Sequence, residues 1–323
     1  MQIIKPSAEY IDRGSFDSDY AFIESIGRTC YKSEKLITED SAVAFVKKIK
    51  SNRHFTVLEH CWVHFKMYDY GHKLLIKEAN ENPHQFKYIN IDKYLDGNKS
   101  VWLVSGSLRA FIELFEQNVS EICNSIKNML SRHYPELFNE KDGDDYLRYY
   151  IEFVTDRQVR EMVKDFPDLA DRHITHTFRY VCDRGVSHEL VRHRPWAISQ
   201  ESTRYCNYAK ENEITVIEPC FFKERQKEQP WLYDLWVKSC EYAEKTYMVM
   251  YKEYMASPQE ARSVLPNSLK TEVVMTSTEE QWRHFLNLRY AGTTGAPHPQ
   301  MVELTSLVIP TIVKASEGRL TYE

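Results

Sequence analysis

The segment "ELVRHRPWAISQESTRYCNY", residues 189–208, places cationic side chains beside hydroxyl and amide groups in one short stretch. Arg192, His193 and Arg194 form a basic cluster, and Pro195 follows directly. Because proline disfavours a helical conformation in the residue before it, we expect the cluster where a helix ends and a loop begins. Guanidinium groups bind phosphates and planar carbonyl groups, and neighbouring hydroxyls add hydrogen bonds. The segment therefore indicates either a site for a phosphorylated, planar ligand or a solvated basic loop.

The whole chain limits which classes of protein are possible. It has 323 residues, 42% hydrophobic content and a net charge of −5, so it could form one large domain or two smaller ones. The negative balance does not favour a nucleic-acid surface. No apolar run is long enough to cross a bilayer, and the first residues show no signal-peptide pattern. The seven cysteines are scattered without a C-x-x-C pair, which is typical of reduced thiols. We therefore expect a cytoplasmic protein without membrane or nucleic-acid partners.

Glycine-based phosphate sites are missing from the sequence. The chain has ten glycines and neither a G-x-G-x-x-G nor a G-x-x-x-x-G-K-[ST] pattern. Rossmann and P-loop sites need those glycines because the backbone itself approaches the phosphates. If this protein binds a nucleotide, side chains must hold it.

Metal and nucleophile motifs are also missing. His188 and His193 of "HELVRH" are five positions apart, so they point to different sides of a helix. His173 and His176 fall on a predicted strand, where a spacing of three separates the faces. There is no G-x-S-x-G elbow and no cysteine in a recognisable catalytic context. We therefore expect no metal site and no covalent catalysis by a serine or cysteine.

The hydrophobic periodicity predicts a mixed chain of helices and strands. Alternating or short apolar runs predict strands at 2–5, 61–67, 101–107, 174–181 and 269–276. Helical periodicity predicts helices over 17–31, from 38, over 108–130, over 226–255 and from 299 onward.

Capping residues predict where three shorter helices begin. Asp183 or Ser187 is expected to cap the helix before the basic cluster. Ser257 and Glu260 form a capping-box pattern around Pro258. Ser277 predicts a further helix start, which would place an apolar face against the core.

The order of residues within the basic segment decides between its two interpretations. The pattern R-H-R, seven residues, then S-x-R-Y is met by Arg192, His193, Arg194, Ser202, Arg204 and Tyr205. It resembles the signature of flavin-dependent thymidylate synthases. Other blocks similar to that family are "HFTVLEH" at 54–60, "ARSVLP" at 261–266, "HFLNLR" at 284–289 and "HPQM" at 298–301. Residues 68–172 do not match the compact family core, so we interpret them as an insertion within one catalytic domain, 1–323.

The resemblance implies a fold and a reaction. The fold would be α/β (α+β), with an antiparallel sheet, flanking helices and an inserted mostly helical region. The reaction would be the reductive methylation of dUMP at C5 to dTMP with 5,10-methylenetetrahydrofolate, NADPH and FAD. NADPH would reduce the flavin, which would pass a hydride on to the nucleotide. The assembly would be a homotetramer with active sites shared between subunits.

The resemblance also implies roles for individual residues. The expected flavin contacts are Cys30, His54, Thr56, Arg192, His193, Arg194, Gln200, Thr278, Glu280 and His284. The expected dUMP contacts are Glu189, Arg192, Gln200, Glu201, Ser202, Arg204, Arg262 and Arg289. Arg289 is the expected catalytic residue, because a guanidinium beside the uracil would stabilise negative charge at N3.

Some positions depart from the family pattern. Ala197 replaces a usual serine, and Ser199 and Gln200 stand where many members have Asn-Glu. Thr278 and His284 occupy positions often held by asparagine. These differences leave open a relative that makes another C5 modification of a pyrimidine nucleotide, such as hydroxymethylation. A non-catalytic nucleotide or RNA binder is the alternative from a different class.

Overall fold

The computed structural model describes residues 1–139, 145–210, 213–225 and 227–322. Its strands are β1 Gln2–Ile4, β2 Ser7–Tyr10, β3 Trp62–Tyr68, β4 Ile89–Asp96, β5 Lys99–Ser107, β6 Ile151–Val154, β7 Thr175–Asp183, β8 Ala197–Gln200, β9 Thr215–Ile217 and β10 Lys270–Thr278. Its α-helices are α1 Asp19–Thr29, α2 Ser41–Ser51, α3 Asp69–Glu81, α4 Leu108–Gln117, α5 Glu121–His133, α6 Asp156–Asp165, α7 Ala170–His173, α8 Arg184–Leu190, α9 Cys220–Arg225, α10 Pro230–Lys252, α11 Pro258–Ala261, α12 Glu279–Leu286, α13 Pro299–Ser306 and α14 Ile309–Ala315.

The strands form two antiparallel sheets and one short parallel pair. The main sheet has the order β2-β7-β10-β8, and the second sheet has the order β4-β5-β3-β6. Strand β1 pairs with β9 in parallel. The fold is therefore mixed α/β with antiparallel sheets and flanking helices, as the sequence predicts.

The two sheets bury separate parts of the core. The predicted apolar face of β3, formed by Cys61, Val63, Phe65 and Met67, is at most 1% exposed and packs with α1, α2, α4 and α5. Under the main sheet, residues of β7 and β10 pack against the buried face of α12, which includes Trp282. The period-2 pattern of the strands is therefore confirmed.

The segment 68–172 is built onto the second sheet. It contains α3 to α6 and β4 to β6, and more of its described residues lie in helices than in strands. Strands β5 and β6 of this segment pair with the two edges of β3. All of β3 except Tyr68 lies before the segment in sequence. The segment therefore extends a sheet that begins outside it.

Two predicted helix limits are wrong, and a third is confirmed. The predicted helix 108–130 is two helices, because the Asn118 side chain accepts a hydrogen bond from the Ser120 amide at 2.9 Å and turns the chain. The helix predicted from Pro299 is confirmed as α13, and it ends before Pro310 of α14, which has no N–H to continue it. Ser277 does not cap α12; it stays in β10, and Thr278 takes the N-cap position without a side-chain cap hydrogen bond.

Other helix limits agree with the sequence more closely. Helices α1 and α2 begin two and three residues later than predicted, at Asp19 and Ser41. Helix α10 begins at Pro230, and the predicted start at 226 lies outside the described residues. Asp183 is confirmed as the cap of α8, because its carboxylate accepts from the Val186 amide at 2.6 Å. The capping box at the start of α11 is also confirmed.

Candidate functional site

The basic segment joins a helix to an edge strand of the main sheet. Helix α8 ends at Leu190, the loop carries Arg192, His193 and Arg194, and β8 begins at Ala197. Strand β8 pairs with the middle of β10, with Met275 opposite Ile198 as one register pair, and β10 leads directly into α12. The fold therefore places the segment beside the junction between β10 and α12.

A cleft of 590 Å³ lies at this junction. Five of the predicted flavin contacts line it: Thr56, Arg194, Gln200, Thr278 and Glu280. They come from a short helical turn before β3, the loop before β8, β8 itself, and the junction between β10 and α12. Distant parts of the sequence therefore meet in one cavity, whose volume is in the range of about 300–1,000 Å³ typical of small-molecule sites.

Arg289 is fixed by two residues of the segment around α8. Its Nη1 donates to Glu189 Oε2 at 2.7 Å and its Nε donates to His193 Nε2 at 3.0 Å. Burial, together with the positive charges of Arg289, His284 and Arg194, lowers the pKa of His193 to about 4. His193 is therefore neutral near pH 7, with Nε2 as the hydrogen-bond acceptor and the proton on Nδ1.

A buried histidine connects the two strands beneath the cleft. His60 Nδ1 lies 2.8 Å from Thr276 Oγ1, and its Nε2 lies 3.0 Å from Ser199 Oγ. Burial lowers the pKa of His60 to about 3, so its ring is neutral in the core. Gln200 is held by the next contact along β8, from its Nε2 to Ser187 Oγ at 2.9 Å. These hydrogen bonds fix the part of β8 that faces the cleft.

A second group of predicted residues lies in the turn after β8. The Ser202 amide donates to the Cys30 carbonyl at 3.1 Å, and the Arg204 amide donates to Ser202 Oγ at 3.4 Å. Arg262 Nη1 donates to Thr203 Oγ1 at 3.0 Å. Since α11 ends at Ala261, Arg262 lies in the 3-10 turn that directly follows this helix.

His54 joins this second group through tyrosine rings. The Tyr31 hydroxyl lies 3.1 Å from His54 Nδ1, and the Tyr31 and Tyr205 ring centroids are 5.4 Å apart. The Arg204 guanidinium lies over the Tyr205 ring. Neither Cys30, His54, Ser202, Arg204 nor Arg262 lines the cleft. These residues therefore form a group separate from the cleft, and Glu189, His193 and Arg289 form a further cluster.

Four of the predicted arginines lack a carboxylate partner among the described residues. In the part of the chain that the structure describes, no carboxylate forms a salt bridge with Arg192, Arg194, Arg204 or Arg262, and all four are exposed. The chain has 47 acidic residues against 42 basic ones, so carboxylates are available elsewhere. Uncompensated guanidinium groups favour binding of an anion.

Glu201 differs from its neighbours because its carboxylate is inside the protein. It is 2% exposed, accepts a hydrogen bond from the Tyr208 hydroxyl at 3.1 Å and forms a salt bridge with Lys270 at 3.1 Å. Lys32 and Glu272 complete the cluster. Its carboxylate is thus paired within the chain, and its contact with substrate stays a prediction.

Residues 68–172 supply a wall of the cleft that was not predicted from the sequence. From this segment the cleft is lined by Lys87, Tyr88, Asn90, Ser107, Arg109, Ala110 and Glu113. Arg109 donates to Glu59 Oε1 and to Glu113 Oε1, both at 2.7 Å. Glu59 lies within "HFTVLEH" and could have been found there, whereas no motif marks the other wall residues.

Within the described residues, no group of three or more His, Cys, Asp or Glu side chains could hold a metal ion. All seven cysteines are free thiols. No described helix is both long enough and apolar enough to span a membrane.

The family match and the similar proteins of known sequence agree with each other. Residues 155–305 match the family described as thymidylate synthase complementing protein. The flavin-dependent thymidylate synthase of Thermococcus onnurineus is 36% identical over 108 residues, which cover 33% of this chain and 42% of the relative. The enzyme of the same name from Pyrococcus furiosus is 35% identical over 123 residues, covering 36% and 47%. The chain thus spans less than half the length of these relatives.

Two solved structures are similar at a lower level. The UMP/dUMP methylase PolB from Streptomyces cacaoi, bound with 5-Br dUMP, has a TM-score of 0.42 and 13% identity, covering 98% of this chain and 96% of that chain. Thymidylate Synthase X from Helicobacter pylori, with FAD and dUMP, has a TM-score of 0.36 and 17% identity, covering 61% and 91%.

Proposed function

We propose that this chain, which belongs to the flavin-dependent thymidylate synthase family through residues 155–305, methylates dUMP at C5 to give dTMP. In this proposal FAD is the bound cofactor, and NADPH and 5,10-methylenetetrahydrofolate supply the electrons and the carbon. The enzyme is one catalytic domain over residues 1–323, with 68–172 as an insertion, and works in the cytoplasm as a homotetramer.

The observation that carries the proposal is the set of uncompensated arginines at the cleft and in the turn after β8. A nucleotide monophosphate brings the negative charge that these groups lack within the chain. Ser202 and Arg204 in the turn, with Arg262 beside them, offer hydroxyl and guanidinium donors to the phosphate. Without glycine-rich phosphate loops, side chains of this type are the means the chain has for holding a nucleotide.

The residues of the cleft fit a flavin. Trp62 and Trp196 contribute aromatic surface, and Arg194, Thr278 and Glu280 contribute hydrogen-bonding groups for a polar ring edge. A bound flavin would supply the hydride chemistry that no side chain can perform. The protein's own part is to hold the ring, orient the nucleotide and control the charge beside it.

Control of charge is the role of Arg289. Glu189 and neutral His193 occupy its Nη1 and Nε, so the guanidinium is fixed before a ligand binds. Among the described residues Nη2 has no hydrogen-bond partner and is the donor left for a uracil oxygen or ring nitrogen. A fixed positive charge stabilises negative charge that develops on the ring without reorganising during the reaction.

The separation of the turn group from the cleft supports an assembly with shared sites. The turn group of Cys30, His54, Ser202, Arg204 and Arg262 does not line the cleft of its own chain. In a homotetramer, the turn of one protomer would be brought to the cleft of another. Size measurement of the purified protein tests this, and a monomer at working concentration would contradict the assembly.

One experiment distinguishes the candidate functions. Purified protein is incubated anaerobically with dUMP, NADPH and methylenetetrahydrofolate, and the nucleotide product is identified by its mass. We expect flavin absorbance in the protein and a product with the mass of dTMP. A hydroxymethylated product would instead establish a related enzyme with a different C5 modification. A colourless protein that binds nucleotides without turnover would establish the non-catalytic alternative.

Replacement of Arg192 with alanine should weaken flavin binding about tenfold. Arg192 is exposed beside the cleft and has no carboxylate partner among the described residues, so its charge is free to pair with a flavin phosphate. The measurement is the dissociation constant for FAD by fluorescence quenching. Arg157→Ala is the matched control, because Arg157 is also exposed but lies on α6, outside the cleft lining. A variant that retains flavin as well as the control does would contradict the assigned contact.

A further inference from the structure

The inserted segment contributes a wall to the cleft that the family region does not contain. Residues 155–305 supply β8, β10 and the start of α12, whereas the facing wall comes from the start of β4 and from α4. This wall carries an exposed aromatic ring, Tyr88, a lysine without a salt bridge among the described residues, Lys87, and one carboxylate, Glu113. Such a wall indicates recognition of a further ligand beside the flavin.

The free cation and the exposed ring are adjacent in sequence. Lys87 Nζ lies 5.1 Å from the centroid of the Tyr88 ring, and Tyr88 is 51% exposed. Among the described residues no carboxylate forms a salt bridge with Lys87. An exposed tyrosine ring at the mouth of a cleft can stack on a planar ligand, and the neighbouring ammonium can pair with an anionic group on it.

Three carboxylates also line the cleft. Glu59 and Glu113 both accept hydrogen bonds from Arg109, and Glu280 lies across the cleft on α12. Burial raises the pKa of Glu59, although the charges of Arg109 and Arg194 oppose that shift. These carboxylates can accept hydrogen bonds from the amino and ring N–H groups of a heterocycle.

We propose that Lys87 and Tyr88 bind the one-carbon donor of the reaction, a pterin with a glutamate tail. The Tyr88 ring stacks on the pterin, Lys87 pairs with a tail carboxylate, and Glu59 or Glu113 accepts hydrogen bonds from the pterin amino group. This inference rests on the proposed function and gives the insertion a role in it. It assigns the reductant, NADPH, to other residues.

The test compares variants of the flavin-loaded protein. Methylenetetrahydrofolate is titrated anaerobically into wild type, Tyr88→Ala, Lys87→Ala and Tyr88→Phe, and the fluorescence of the cleft residues Trp62 and Trp196 reports binding. We expect about tenfold weaker binding for Tyr88→Ala and for Lys87→Ala, and recovery with Tyr88→Phe because the ring is retained. Tyr70→Ala is the matched control, since Tyr70 is similarly exposed at 49% but lies outside the cleft.

The rate of flavin reduction by NADPH is measured on the same variants. We expect it to be unchanged. Wild-type binding in both alanine variants would overturn the inference and leave the proposed function intact. A slower reduction by NADPH with normal folate binding would overturn it in favour of the reductant. A wild-type protein that binds no flavin would overturn the proposed function, and the inference with it.

Discussion

Arg289→Ala should lower kcat by about 10²–10³-fold while FAD stays bound, because removal of one preorganised donor at a developing charge typically costs that much. The guanidinium does not line the flavin cleft, so the variant is expected to purify with its cofactor. Single-turnover kinetics with dUMP and absorbance of the bound flavin measure the two effects separately. Arg283→Ala is the control, because Arg283 also lies on α12 but does not line the cleft. Its guanidinium instead forms a bidentate pair with Asp171, with N–O distances of 2.8 and 3.0 Å.

The same variant has a second readout at His193. In the wild type, burial is the main cause that lowers the pKa of His193, and Arg289 is the next. Without Arg289 the pKa of His193 should rise from about 4 toward its ordinary value, while burial keeps it below that value. NMR titration of the ring checks this. An unchanged His193 pKa together with unchanged turnover would refute both the contact and the role of Arg289.

The sequence predicted those parts of the fold that depend on local patterns. Strands β3, β7 and β10 follow from alternating apolar residues because each has a fully buried face. The caps at Asp183 and Ser257 follow from side chains that bond within a few residues. The break between α4 and α5 could not be predicted in this way, because Asn118 also bonds to Glu78 and Gln85, about 40 and 33 positions away.

The site was predictable to the extent that a motif marks it. Arg194, Gln200 and Thr278 were found from the family pattern, and the structure brings them into one cleft. The pattern says nothing about burial, so Glu201 was assigned to substrate although its carboxylate is paired inside the protein. Tyr88 was missed because no motif marks it, and only the folded chain brings it to the same cleft as β8 and the start of α12.

Glu279→Ala should reduce the free energy of unfolding by about 3–5 kcal/mol, the usual result of breaking a buried ion pair from one side. Glu279, at the first position of α12, is fully buried. Its Oε1 lies 3.0 Å from both His176 Nε2 and Arg319 Nη2, and its Oε2 accepts from Arg319 Nε at 3.2 Å. The variant leaves the Arg319 charge without its main partner. Denaturant unfolding measures the loss, and Glu280→Ala, an exposed neighbour, should change stability by no more than about 0.5 kcal/mol.

The stabilisation by Glu279 should also depend on pH, in a direction that its pKa determines. Burial raises the pKa of Glu279, but the hydrogen bonds from His176 and Arg319 outweigh it, so the net pKa is lower than in the unfolded chain. The contribution of Glu279 is therefore fully present above its unfolded pKa and is lost as the pH falls through its folded value. Wild type should thus lose more stability on acidification than Glu279→Ala, and the two should converge at low pH. Parallel stability curves from neutral pH down to the acid limit would show that Glu279 does not hold α12, and the helix that leads to Arg289, in place.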